Sequence, residues 1–222
     1  MMAQSAHDER SSVSAVILAG GKSRRMGRDK SFIEFEGRPL IARVIERVSA
    51  LSDDVIVVTN DAPAYEPFGT RLVADVYPGK GSLGGVYSGL LAARHDRVFA
   101  VACDMPFLNL DLMRYMIALA SEFDVVIPRA KDPSGKAKRS TRPHPFLAKE
   151  IDLHPTHAVY AKSCLASIQA RLLADDLRII GILESVSVRV VEEIEIDLFD
   201  PKHLSFFNMN TPHDLDVASQ LT

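Results

Sequence analysis

Two glycines, Gly20 and Gly21, close the apolar run VSAVILA (13–19), and three cations follow them: Arg24, Arg25 and Lys30. Glycines let backbone N–H groups approach an anion closely, and successive N–H groups form a concave anion site. The cations add positive charge to the same loop. A triphosphate is the natural occupant of such a loop. The common phosphate-loop patterns, GxxxxGK[ST] and GxGxxG, do not occur here. A plain strand-ending turn beside a solvated basic face is the alternative reading.

A second chemistry-bearing residue, Asp104, follows another apolar run, VFAVAC (98–103), and precedes Met105-Pro106. A carboxylate at the C-terminal end of a buried strand borders the ligand crevice of an open α/β sheet. Magnesium takes hard oxygen ligands, commonly one or two carboxylates plus substrate phosphates. Asp104 is thus a candidate Mg²⁺ ligand. Capping of a helix that starts near Asn109, or an ordinary turn, is the other reading. Cys103 reads as packing, with no His beside it in sequence.

The elements that must hold these residues follow from periodicity. Short apolar runs at 13–19, Val55 to Thr59 and Val98 to Cys103 read as buried strands, with shorter ones at Leu72-Val73 and Val125 to Pro128. Helical spacing runs from Pro39 through Val48, from Leu83 to Arg94, from Leu110 to Leu119 and from Tyr160 to Leu173. Val186, Val188 and Val190 alternate as in a half-exposed strand. Ser205 to Met209 reads as strand, and a helix starts at Pro212 with Thr211 as its N-cap. Ser82, ahead of the Leu83 helix, reads as an N-cap as well. Strands alternating with helices predict a mostly parallel sheet covered on both sides, a Rossmann-like three-layer α/β sandwich.

Length and charge bound the rest. A chain of 222 residues with 47% hydrophobic and 25% charged residues suits one globular domain, here 13–222, after a disordered lead-in at 1–12. A net charge of −3 argues against a general nucleic-acid binder. Two cysteines without a CxxC pair argue against a zinc site or disulfide framework and point to a reducing compartment. No run approaches the roughly 20 apolar residues of a membrane span, and no signal peptide is visible, so a cytoplasmic location is expected. The stretch AKDPSGKAKRSTRPHP (130–145) is basic and proline-rich and predicts a loop or insertion near 129–153.

The segment LAGGKSRRMGRDK (18–30) resembles the signature loop of the MobA family, the molybdenum cofactor guanylyltransferases. These are nucleotidyltransferases with a glycosyltransferase-A-like fold of the nucleotide-diphospho-sugar transferase type. Asp75 with GSLGG (81–85), CDMP (103–106) and FNMNTPHDL (207–215) are similar to further family segments, so the likeness covers nearly the whole chain. It implies transfer of GMP from GTP to the phosphate of molybdopterin, with Mg²⁺ on Asp104. It implies nucleotide contacts from Leu18, Ala19, Gly20, Gly21, Lys30, Asn60, Asp75, Gly84 and Asp104. Arg25 and Lys30 would neutralise charge on the triphosphate. Asn208 and Asn210 would meet the pterin, since amides both donate and accept. Molybdoenzyme maturation proteins are the implied partners. From the residues alone, Asp75 also reads as a loop Asp, Asn60 as an Asx-turn residue, and Asn210-Thr211-Pro212 as a helix start.

The chain departs from the family pattern in two places. Ser82 stands where the family usually has Pro, and 129–153 looks longer than the usual link. His154-Pro155 and His144-Pro145 are rival matches to one family segment, so neither His receives a catalytic role. A basic loop there could close over the pterin phosphate. A cytidylyltransferase or sugar-1-phosphate nucleotidyltransferase on the same fold, and a non-catalytic nucleotide-binding module, are the competing functional readings.

Overall fold

The structure, a computed structural model, describes residues 13–19, 30–131, 133 and 152–221. The lead-in 1–12, the Gly20-Gly21 turn with Arg25, and most of the basic stretch 129–153 with His144-Pro145 lie outside the described residues. β1 (Ser14–Leu18) is followed by a hairpin of β2 (Glu34–Phe35) and β3 (Arg38–Pro39), which feeds α1 (Leu40–Ser49). Pro39 is the residue before that helix, one position earlier than its spacing suggests. Then come β4 (Asp54–Val58), α2 (Ala62–Tyr65), β5 (Arg71–Val73), α3 (Gly81–Ala92) and β6 (Arg97–Ala102). The second half holds α4 (Leu110–Leu119), β7 (Val125–Pro128), β8 (His157–Ala161), α5 (Leu165–Leu173), β9 (Val188–Val191), α6 (Glu193–Ile196) and α7 (Pro212–Leu221).

Seven strands pair in the order β5-β4-β1-β6-β8-β7-β9. All pairings are parallel except those of β8, which runs antiparallel to both β6 and β7. One face of the sheet packs against Ile41, Val44 and Val48 of α1 and Leu112, Met113 and Met116 of α4. The other face packs against Leu83, Val86 and Leu90 of α3 and Ile168 and Leu172 of α5. Burial on both faces explains why the strands read as unbroken apolar runs. The expected three-layer, mostly parallel α/β sandwich is what forms.

α3 lies unusually close to β1. A Cβ at Gly85 would sit 3.0 Å from Leu18 Cδ2, and one at Gly89 would fall 2.8 Å from Val16 Cγ2. Gly85 and Gly89 therefore serve close helix–sheet contact.

Three local expectations are corrected. Tyr160 and Ala161 belong to β8, and the helix begins only at Leu165 after a short turn at Lys162–Cys164. The run HAVYA pairs with strands on both sides, and a short apolar run carries no period that separates strand from helix. Ser205 to Met209 forms no strand. A 3₁₀ turn at Leu204–Phe206 leads into irregular backbone, and Phe206, Phe207 and Met209 are all buried by packing. Ser82 is not an N-cap, because α3 already starts at Gly81 after Lys80.

Candidate active site

Sheet register places the polar residues. Leu18 aligns with Val58 and Ala102, and Val58 aligns with Val73, so these four share one rung at the C-terminal edge. Asn60, Asp75 and Asp104 are each the second residue past that rung on β4, β5 and β6. They leave the sheet at one level, in the spatial order Asp75, Asn60, Asp104. Neighbouring strands lie about 4.8 Å apart, so the two carboxylates stand roughly 14 Å apart along the edge. That leaves room for a nucleotide laid across the strand ends.

At the β5 end, Asp75 is tied down. Its Oδ1 accepts from the Tyr77 N–H (3.0 Å) and lies 2.9 Å from Ser88 Oγ. Its own N–H donates to Asn60 Oδ1 (3.1 Å), so Asn60 fixes Asp75 across the β4–β5 edge, not its own turn. A Cβ at Gly84 would lie 3.2 Å from both Asp75 carboxylate oxygens and 3.1 Å from the Tyr77 carbonyl. Gly84 thus makes room for that carboxylate. Ser88, one helical turn after Gly84, was not singled out in the sequence; its i+4 spacing from Gly84 was the available signal.

At the β6 end, Asp104 is provisioned differently. Its Oδ1 is buried and has no hydrogen-bond partner among the described residues. Burial pushes its carboxyl above the usual carboxylate range, the Lys30 ammonium pulls it back less strongly, and the Asp214 charge pushes it up further. It does not cap α4, since Asn109 does that by accepting from the N–H groups of Asp111 and Leu112 (3.0 Å each).

The Asn208–Asn210 segment meets this end directly. The Met209 N–H donates to the Asp104 carbonyl (2.9 Å). Lys30 Nζ donates to Asn210 Oδ1 in a short contact. Asn208 Nδ2 donates to the Phe206 carbonyl (3.0 Å). Buried Asp214 accepts from the N–H groups of Asn210 and Thr211 (2.9 Å each), while its own N–H donates to Thr211 Oγ1 (3.3 Å). This is a capping box at the start of α7, legible beforehand as Thr-x-x-Asp. It fixes the backbone that presents Asn210 to Lys30. Leu18 and Ala19 lie beside Asp104, the Leu18 carbonyl accepting from the Cys103 N–H (3.3 Å). The expected contributions of Gly20, Gly21 and Arg25 fall outside the described residues.

A buried, under-partnered carboxylate oxygen beside a lysine suits a hard divalent cation shared with phosphate oxygens. Among the described residues no group of three or more His, Cys, Asp or Glu could hold a metal alone. The donor set therefore fits an ion completed by a polyphosphate and water, not a protein cage. Cys103 is half-buried and accepts from the Ser31 hydroxyl (3.1 Å), and Cys164 is buried.

Open α/β sheets bind ligands outside the carboxyl ends of their strands, and here a lysine and a carboxylate meet at that edge, which suits a phosphate-bearing ligand. A solved 4-diphosphocytidyl-2C-methyl-D-erythritol synthase from Anaerococcus prevotii shares the fold, with a TM-score of 0.65 at 17% identity over 95% of this chain and 98% of that one. More specific likenesses follow. Residues 15–187 match the MobA-like NTP transferase domain, and the chain belongs to that family. A probable molybdenum cofactor guanylyltransferase of Peptoclostridium acidaminophilum is 37% identical over 209 residues, covering 94% of this chain and 89% of that protein. The crystal structure of molybdopterin-guanine dinucleotide biosynthesis protein A from Archaeoglobus fulgidus superposes with a TM-score of 0.71 at 25% identity, over 94% of this chain and 97% of that one.

Proposed function

We propose that this protein is a molybdenum cofactor guanylyltransferase. It joins a phosphate oxygen of molybdopterin to the α-phosphorus of GTP. The bond between the α- and β-phosphates breaks, and pyrophosphate leaves. The acceptor phosphate is already ionised at neutral pH, so no protein nucleophile and no dedicated base are required. The names of the similar proteins support the choice of GTP and molybdopterin. The observation that carries the chemistry is the meeting of Asp104, Lys30 and Asn210 at the end of β6.

Residues then divide the work. Asp75, Asn60 and Gly84 shape the nucleoside end of the crevice. Leu18 and Ala19 lead the chain towards the Gly20-Gly21 loop, which would cradle the triphosphate with Arg25. Lys30 neutralises charge developing on the phosphates while Asn210 orients its ammonium. Asn208 and Asn210 face the pterin side. Asp104 would hold a divalent cation, proposed to be Mg²⁺. Such an ion would supply positive charge against the negative charge that builds up on the phosphates. The protein's contribution is positioning and electrostatics.

Residues 13–222 act as one nucleotidyltransferase domain in this reading, because the sheet draws strands from both sides of the basic segment. A cytoplasmic location is proposed with this reading; among the described residues no helix is long and apolar enough to cross a membrane. Maturation proteins that receive the finished cofactor are the proposed partners.

The test is pyrophosphate release by the purified protein with Mg²⁺ and molybdopterin, comparing GTP with CTP. GTP alone should support release. Release with CTP alone would move the protein to the cytidylyl branch, and release with neither would overturn the assignment.

A further inference from the structure

Lys30 and Asp104 reach the site from segments far apart in sequence, and the 3₁₀ turn that carries Lys30 spans only Lys30–Phe32. Such a turn has no ladder of its own to the sheet. Its buried residue is Ser31, the immediate neighbour of Lys30. The Ser31 hydroxyl donates to Cys103 Sγ (3.1 Å), and Cys103 is the immediate neighbour of Asp104. On the other side Ser31 Oγ accepts from the Tyr65 hydroxyl (2.7 Å), which also lies 3.3 Å from the Ala19 carbonyl. Ser31 and Tyr65 are fully buried, and the Tyr65 ring packs 5.0 Å from that of Phe32 in the same turn.

We propose that the buried chain Tyr65–Ser31–Cys103 is a positioning device for nucleotidyl transfer. It sets the lysine-bearing turn against the carboxylate-bearing end of β6 and against Ala19, where β1 hands over to the glycine loop. None of the three side chains touches substrate in this role. Each acts through its neighbour in the chain: Ser31 through Lys30, and Cys103 through Asp104. Displacements of about 1 Å in a transfer site are worth up to about 10²-fold in rate, so a hydroxyl that fixes two charged groups has a kinetic signature. The inference rests on the reading of Lys30 and Asp104 as the transfer centre.

The experiment compares Tyr65→Phe, Ser31→Ala and the double variant with wild type in steady-state pyrophosphate release with GTP, Mg²⁺ and molybdopterin, with Asp104→Ala as reference. Tyr65→Phe keeps the ring and removes only the hydroxyl. Each single variant should lose about tenfold in kcat, with KM for GTP within about threefold. The double variant should lose no more than the worse single one, because both break the same chain. A purely structural role would lower the melting temperature and leave kcat of the folded enzyme intact. Single losses under threefold, or losses that multiply, overturn the proposal. An inactive Asp104→Ala beside unaltered Ser31→Ala and Tyr65→Phe overturns it alone, whereas an active Asp104→Ala removes the transfer-centre reading and the proposal together.

Discussion

Two carboxylates at opposite ends of the same sheet meet burial in opposite ways. Asp54, at the N-terminal end of β4, is only 2% exposed and is saturated with partners. It accepts from Ser14 Oγ (2.6 Å) and from the Arg94 N–H (2.8 Å), and it pairs with the guanidinium of Arg71 (3.1 Å). Asp104, past the C-terminal end of β6, keeps a buried oxygen without a hydrogen bond among the described residues. Removing a buried, fully partnered charge strands its partners and is costly, whereas a buried charge left short of partners is itself expensive to keep.

The sharpest way to break this contrast is Asp104→Ala. It should cut turnover by at least about 10³-fold, as removal of a group that stabilises developing charge does. Stability should not fall. The folded-state pKa of Asp104 is raised, so ionisation at neutral pH works against folding, and that penalty is relieved as the pH falls through the raised value. The melting temperature of Asp104→Asn should therefore match or exceed wild type at neutral pH, and the gap should close on acidification. A variant that is both inactive and clearly less stable would make Asp104 a structural residue.

Asp54→Ala should do the reverse. Breaking a buried, hydrogen-bonded ion pair costs about 3 kcal/mol when the cationic partners are partly exposed, as Arg71 and Arg94 are here. Denaturant unfolding should show that loss, while the folded fraction keeps its KM and kcat. An unchanged midpoint would show that partner count does not separate these two carboxylates.

His157 sharpens the comparison, because it also lacks partners yet stands inside the core. Neither ring nitrogen has a hydrogen bond among the described residues, and the ring meets Phe99 and Phe206 edge-on, each at 5.2 Å. Burial, aided by nearby His154, pushes its pKa down to about 3. The unfolded chain takes up a proton near 6.5 and the folded one does not. Stability is thus full above pH 6.5 and falls as the pH drops towards 3, by up to about 1.4 kcal/mol per unit. His157→Leu should flatten the acid limb, losing about 2 kcal/mol less than wild type between pH 6 and 4. Equal acid limbs would show that His157 finds a partner or water. A neutral imidazole tolerates isolation where a carboxylate does not.

Much of this was legible beforehand. Apolar runs locate most of the strands, and the positions of Asn60, Asp75 and Asp104 after those runs foretell the crevice edge. Their common offset past one rung was not legible, because register is a pairing property. The same limit drew Tyr160 and Ala161 into an expected helix and made Ser205 to Met209 an expected strand. In each, apolar composition reports burial and not backbone form. Asp214 could have been found from its capping-box spacing after Thr211. Ser31 and Tyr65 could not, since nothing local announces that residues 34 positions apart share a hydrogen bond.

The smallest expected effect tests whether the two ends of the crevice act separately. Gly84→Ala adds a methyl against the Tyr77 carbonyl (3.1 Å) and the Asp75 carboxylate (3.2 Å), and both must yield by a few tenths of an ångström. Alanine also favours the helix by about 1 kcal/mol over glycine, which offsets that crowding. The melting temperature should therefore shift little. KM for GTP should rise about fivefold, equivalent to about 1 kcal/mol of binding, because Asp75 is displaced. The kcat should stay within about twofold, because Asp104, Lys30 and Asn210 lie at the far end, roughly 14 Å away along the strand edge. Gly89→Ala is the matched control on the same helix. Its methyl meets Val16 in the core, not the crevice, so it should lower stability without moving KM. An unmoved KM in Gly84→Ala would detach Asp75 from nucleotide binding, and a fall in kcat equal to the rise in KM would mean that the two ends move as one.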